Sequence, residues 1–78
     1  MPKSKNQLTT TVKEPTLSER ELEVLHSIAT GKSSKTIALE LFISTNTIEA
    51  HRKQILKKMA AKNMVEAISI AFRKEIIR

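Results

Sequence analysis

The stretch SSKTIALELFISTNTIEAHRK at positions 33–53 decides the fold that this sequence predicts. Its first half has apolar residues at helical spacing, Phe42 and Ile43 follow as a short apolar turn, and Ser44 can cap a second helix over about 45–59. One apolar stripe runs along that second helix and comprises Ile48, Ile55, Leu56 and Met59. Two short helices joined by a tight turn, the second with a polar outer face, are typical of a helix-turn-helix.

Length and charge limit what the rest of the chain can add. Its 78 residues allow one small domain, and a single Gly, two Pro and long runs of helix formers predict an all-α fold. The formal net charge is +6, and residues 32–62, with seven Lys or Arg against two Glu, carry +5 of it. A phosphate-binding surface needs such a basic block, although a solvated face of an unrelated helical bundle would carry the same charge.

Several functional classes are disfavoured by what the sequence lacks. It contains no Cys, so we expect neither a disulfide nor a thiolate metal site, and nothing in it is typical of a signal peptide or a membrane span. His26 and His51 have no Cys or Asp to complete a metal site, and no Gly-rich phosphate loop is present. We therefore expect a cytoplasmic protein that is not an enzyme and has no metal, cofactor or membrane partner.

The N-terminal part of the chain differs from the remainder. Residues 1–16 have no apolar periodicity and contain two Pro, a Thr triplet and several Lys, which predicts a flexible arm or linker. The domain is expected at 17–78. Its first helix, about 19–30, begins where Ser18 can act as the N-cap and Glu21 can return a hydrogen bond to it.

Capping residues also predict the other helix boundaries. The serine pair at 33–34 begins the second helix, which is expected to end near Phe42. Asn63 and Glu66 repeat the cap-and-return pattern and open a fourth helix that should run to about Ile76.

Seven short blocks allow a more specific comparison. In chain order they are LSERELEVL (17–25), IATG (28–31), KTIA (35–38), IS (43–44), TIEAH (47–51), ILKKM (55–59) and EA (66–67). Together they make residues 17–77 resemble the DNA-binding domain of the LuxR/GerE family, the output module of many response regulators. The resemblance implies a four-helix LuxR-type helix-turn-helix domain that binds specific double-stranded DNA sequences and regulates transcription. It also implies that the third helix enters the major groove and that the fourth can mediate dimerisation.

Helical geometry assigns the DNA contacts. Four residues of the third helix face away from its apolar stripe and are predicted to contact bases: Asn46, Glu49, Ala50 and Lys53. Lys53 can donate to guanine, Ala50 can meet a thymine methyl, and Glu49 can accept from cytosine N4 or act only by excluding other sequences. Four more residues are predicted to contact phosphates: Lys35, Thr45, Thr47 and Lys57. Two residues depart from the family, because Glu49 replaces a frequent Lys and Met64 a commonly basic residue.

The fourth helix is predicted to form a weak homodimer. If Ile68 marks the centre of its core face, the same face includes Met64, Val65, Ala67, Ala71 and Phe72. Ile70 and Ile77 then project away from the core, which predicts that they contact a second copy. Such a dimer would bind half-sites centred about 10 base pairs apart.

The sequence leaves the surrounding protein open. It contains no Asp, so a phosphate-accepting receiver does not lie within these residues. Either an upstream receiver or sensing domain precedes a linker at 1–16, or the chain is a small stand-alone regulator. RNA polymerase is a possible further partner in both cases.

A promoter-recognition module and a protein-interaction bundle are the two alternative functions. A sigma-factor-like promoter-recognition module usually ends after its recognition helix, whereas a full fourth helix is predicted here. A protein-interaction helical bundle would show no salt-dependent DNA binding. Binding to RNA or single strands is disfavoured because the only aromatic residues, Phe42 and Phe72, are predicted to be buried and so offer no stacking surface.

Overall fold

The computed structural model describes residues 16–77, which form four α-helices and no strand. The helices are α1 (Glu19–Ala29), α2 (Ser34–Leu41), α3 (Thr45–Met59) and α4 (Met64–Arg73). The predicted all-α, four-helix fold is confirmed, whereas most of the predicted arm lies outside the described residues. Within that described part, no helix is both long and apolar enough to cross a bilayer.

Each helix begins at a capping side chain. At α1, Ser18 Oγ accepts from the Glu21 N–H at 3.1 Å, while Glu21 Oε1 accepts from the Ser18 N–H at 2.9 Å. Ser33 and Ser44 accept from the N–H three residues on and so begin α2 and α3. The cap of α4 differs slightly from the prediction, because Glu66 accepts from the N–H of Lys62 and not from that of the cap residue.

The core is built around α3, which packs against the other three helices. The apolar side chains buried in this core come from all four helices and from the C-terminal segment. They are Val24, Leu25, Ile37, Ala38, Ile48, Ile55, Met59, Ala67, Ala71 and Ile77. The predicted stripe of α3 is therefore largely confirmed, with Leu56 half-buried at its edge.

Only one of the two apolar residues in the turn between α2 and α3 packs against the core. Ile43 packs against the core, but Phe42 is 94% exposed and adopts a left-handed backbone with φ 59°. The prediction that Phe42 is buried is wrong because the left-handed residue that ends α2 directs its side chain outward. Of the two apolar residues of this turn, only Ile43 therefore packs against the core.

One polar side chain is buried in the described region and links α1 to α3. Glu21 is almost completely enclosed, and its Oε1 accepts from Lys58 Nζ at 2.8 Å. Burial by itself would raise the pKa of Glu21, but the hydrogen bonds from Lys58 and Ser18 and the positive charge of Lys58 outweigh it, so the pKa is lowered. The cap of α1 therefore also anchors the last turn of α3.

The core face of α4 differs from the prediction. Ala67 and Ala71 are fully buried, whereas Val65 is 76% and Phe72 48% exposed. The two alanines mark the face of α4 that packs against the core, and Val65 and Phe72 lie on the opposite side of the helix.

The two isoleucines proposed for dimerisation also lie elsewhere. Ile70 is half-buried against the core, and Ile77 is only 6% exposed. Helical periodicity does not extend to Ile77 because α4 ends at Arg73 and Glu75 adopts a left-handed φ of 58°. That turn directs the chain back onto the core, so the prediction that Ile77 projects away from the core is wrong.

Candidate nucleic-acid interface

The outer face of α3 presents a continuous polar stripe. Asn46, Ala50, Lys53 and Lys57 are all exposed and recur at alternating spacings of four and three residues. At 1.5 Å rise per residue the stripe is roughly 16 Å long, which fits a helix lying in the major groove. The structure thus brings together three of the predicted base contacts and one predicted phosphate contact.

The position of this stripe is determined by the opposite side of the helix. Ile48, Ile55 and Met59 are buried against α1, α2 and α4, so α3 cannot rotate without exposing them. Its N-terminus is held by Ser44, which accepts from the Thr47 N–H at 3.0 Å. The predicted base contacts therefore lie on a rigid element, which favours specific recognition.

The cations of the basic block fall into two groups. Three are engaged by carboxylates: Lys32 lies 2.9 Å from Glu40, Arg52 3.5 Å from Glu49 and Lys58 2.8 Å from Glu21. The other four have no carboxylate within ion-pair distance among residues 16–77, namely Lys35, Lys53, Lys57 and Lys62. All four are exposed, so each can approach a phosphate or a base without first breaking an ion pair.

The predicted phosphate contacts lie on both helices of the helix-turn-helix. Lys35 is exposed near the start of α2, and Thr45 and Thr47 are exposed in the first turn of α3. The hydroxyl of Thr47 lies 2.9 Å from that of Ser44, so part of its hydrogen-bonding capacity serves the cap. Thr45 also lies at the N-terminus of α3, where backbone N–H groups favour anions.

Glu49, the fourth predicted base contact, is paired in a way that the prediction omitted. Its Oε1 lies 3.5 Å from Arg52 Nε, one helical turn further along α3. The spacing of three residues between opposite charges was visible in the sequence.

Comparison with known proteins identifies the fold family. Residues 15–71 match the family described as bacterial regulatory proteins, luxR family. The chain belongs to this luxR family. It is 43% identical over 61 residues to the oxygen regulatory protein NreC of Staphylococcus aureus, in strains JH9, JH1 and USA300 alike.

The match to NreC covers 78% of this chain and 28% of NreC, so the chain spans little more than a quarter of the curated relatives it matches. Membership of the luxR family makes it a DNA-binding, helix-turn-helix domain that serves transcription regulation. Within residues 16–77, no three His, Cys, Asp or Glu side chains cluster as metal ligands would.

Proposed function

We propose that this luxR-family domain binds specific sequences in double-stranded DNA by placing α3 in the major groove. The observation that carries the proposal is the exposed stripe of α3, in which Lys53 and Lys57 have no carboxylate partner among residues 16–77. A basic, rigid and fully accessible helix face offers both hydrogen-bond donors for base edges and charge for phosphates.

The roles proposed for individual residues follow from their positions. Lys53 donates to guanine, Ala50 contacts a thymine methyl, and Asn46 and Glu49 contact neighbouring bases. The phosphate contacts are Lys35, Thr45, Thr47 and Lys57, which flank the base contacts and determine the register of the domain on the duplex.

A second copy of the domain binds through α4 in this proposal. Val65 and Phe72 are exposed and seven residues apart, so they lie on one side of α4 about 10 Å from each other along its axis. Two large apolar side chains on one exposed stripe favour contact with an identical stripe related by two-fold symmetry. The paired half-sites would be centred about 10 base pairs apart.

The wider setting is proposed from the relatives. Because the chain spans only 28% of NreC, a receiver or sensing domain in the same protein could supply the input, and RNA polymerase could receive the output. Bacterial DNA lies in the cytoplasm, so we place this activity there.

Selection of binding sites from random duplex DNA, followed by titration at several salt concentrations, tests the proposal. A consensus sequence should emerge, and the logarithm of the affinity should fall with the logarithm of salt concentration with a slope of about −4 to −7. Absence of binding to selected and random duplexes at about 50 mM salt, where phosphate contacts are strong, would contradict it.

A further inference from the structure

Glu49 places a negative charge on the surface that is proposed to face DNA. Its side chain is 52% exposed, and α3 presents it beside the stripe formed by Asn46, Ala50, Lys53 and Lys57. An isolated carboxylate in this position would be repelled by phosphates and free to adopt several rotamers. Both effects would weaken a contact between Glu49 and a base.

Arg52 reduces both the repulsion of Glu49 by phosphates and the number of rotamers that Glu49 can adopt. Its Nε lies 3.5 Å from Glu49 Oε1, which makes the pair electrically neutral towards the approaching DNA. The Arg52 side chain is only 28% exposed, so the guanidinium is more restricted than the carboxylate it faces. A restricted cation one turn away holds the carboxylate in a limited range of positions.

Ionised carboxylates only accept hydrogen bonds, and this limits the base that Glu49 can select. Two bases offer an amino donor in the major groove, cytosine at N4 and adenine at N6, but the adenine donor lies beside the N7 acceptor, which repels a carboxylate. Thymine offers the O4 acceptor and a methyl group at the edge where cytosine has its donor. A carboxylate held in place therefore favours cytosine over thymine, while a mobile one discriminates less.

We infer that Arg52 is a positioning residue for sequence recognition: it holds the Glu49 carboxylate towards a cytosine N4 amino group in the major groove. This inference rests on the proposed function, since it requires α3 to lie in that groove. Arg52 acts through Glu49 in this account, and its effect on specificity must disappear when Glu49 is absent.

A double-mutant cycle on two DNA duplexes tests this dependence. The first duplex carries the selected site. The second duplex differs from it at one base pair: T·A replaces the C·G pair that the Glu49→Ala variant no longer prefers. The ratio of the two dissociation constants is measured for the unmodified chain, Glu49→Ala, Arg52→Gln and the double variant. We expect a ratio of roughly 10 for the unmodified chain and about 1 for Glu49→Ala.

Arg52→Gln should reduce this ratio to about 2 to 3, and adding it to Glu49→Ala should leave the ratio near 1. Arg20→Gln is the matched control, because Arg20 also pairs with a Glu three residues away, at 3.6 Å from Glu23, but on α1. It removes the same charge and should leave the ratio near 10, as in the unmodified chain. Thermal unfolding of every variant establishes that it is folded.

Arg52→Lys provides a second variant should Arg52→Gln fail to fold. It keeps the charge but lacks the planar guanidinium, so its ratio should fall between those of the unmodified chain and of Glu49→Ala. A ratio equal to that of the unmodified chain would overturn the inference.

Other outcomes separate this inference from the function on which it rests. If Arg52→Gln weakens binding to both duplexes equally, with and without Glu49, Arg52 contacts phosphate itself and the inference is wrong. If Glu49→Ala leaves every base preference intact, Glu49 contacts no base, and the inference fails while DNA binding stands. If the unmodified chain binds no duplex, the proposed function fails together with the inference.

Discussion

Replacing Lys58 with Met should destabilise the domain by leaving the buried Glu21 carboxylate without its cationic partner. Lys58 Nζ donates to Glu21 Oε1 at 2.8 Å, and the Glu21 side chain is only 8% exposed. Loss of a hydrogen bond between charged groups costs about 1.5–3 kcal/mol. We expect about 2 kcal/mol, below the cost of breaking a fully buried pair, because Lys58 is itself 37% exposed and Ser18 still donates to the carboxylate.

Thermal or urea unfolding measures this loss, and a change of about 2 kcal/mol corresponds to roughly 8–16 °C in Tm for a domain of this size. Lys57→Met is the matched control, because Lys57 is an exposed neighbour in the same last turn of α3. The control removes the same favourable interaction with the helix dipole, which contributes about 0.3–1 kcal/mol, so the difference between the two variants isolates the ion pair.

The pH dependence provides a second test, with a defined sign. The pKa of Glu21 is lowered in the folded state, so ionised Glu21 stabilises the fold above its ordinary pKa of 4.5. This contribution is lost as the pH falls through the lower, folded-state pKa. The stability gap between the unmodified chain and Lys58→Met should therefore narrow in acid. A gap of the same size at pH 7 and at about pH 2 would refute the electrostatic reasoning and assign the effect to packing of the Lys58 methylenes.

Three further predictions concern the surface. Lys53→Ala should weaken binding to the selected DNA site by about 1–3 kcal/mol without altering thermal unfolding, whereas Gln54→Ala, on a neighbouring exposed position, should preserve the affinity. Phe42→Gly should be more stable than Phe42→Ala by about 1 kcal/mol in thermal unfolding, because only glycine relieves the left-handed backbone; equal stabilities would show that φ of 59° carries no cost. Phe72→Glu should preserve binding to a single half-site and abolish cooperative binding to paired half-sites in a gel-shift titration, and unchanged cooperativity would exclude Phe72 from the dimer contact.

The sequence was sufficient for the features that depend on neighbouring residues in the chain. Ser18, Ser44 and Asn63 cap helices where the sequence predicts, because an N-cap hydrogen bond spans only two or three residues. The cap of α2 is Ser33, one of the two serines that the sequence offers there. The exposed stripe of α3 was equally predictable, since the spacing of Ile48, Ile55 and Met59 determines which side of a regular helix is buried. In both cases the residues that form the pattern are close in the chain, and the helix itself brings them together.

Packing between distant segments decided the rest. Glu21 and Lys58 are 37 positions apart, and only the approach of α1 to α3 brings them into contact. The side of α4 that faces the core could not be predicted from its sequence, because apolar residues occur on most of its circumference. Packing of the helices places its alanines against α3. Ile77 is buried because the left-handed Glu75 reverses the chain, a turn that no helical period predicts. Hydrophobic burial has no direction of its own, so the competition among apolar side chains for one small core is resolved only when all four helices are packed.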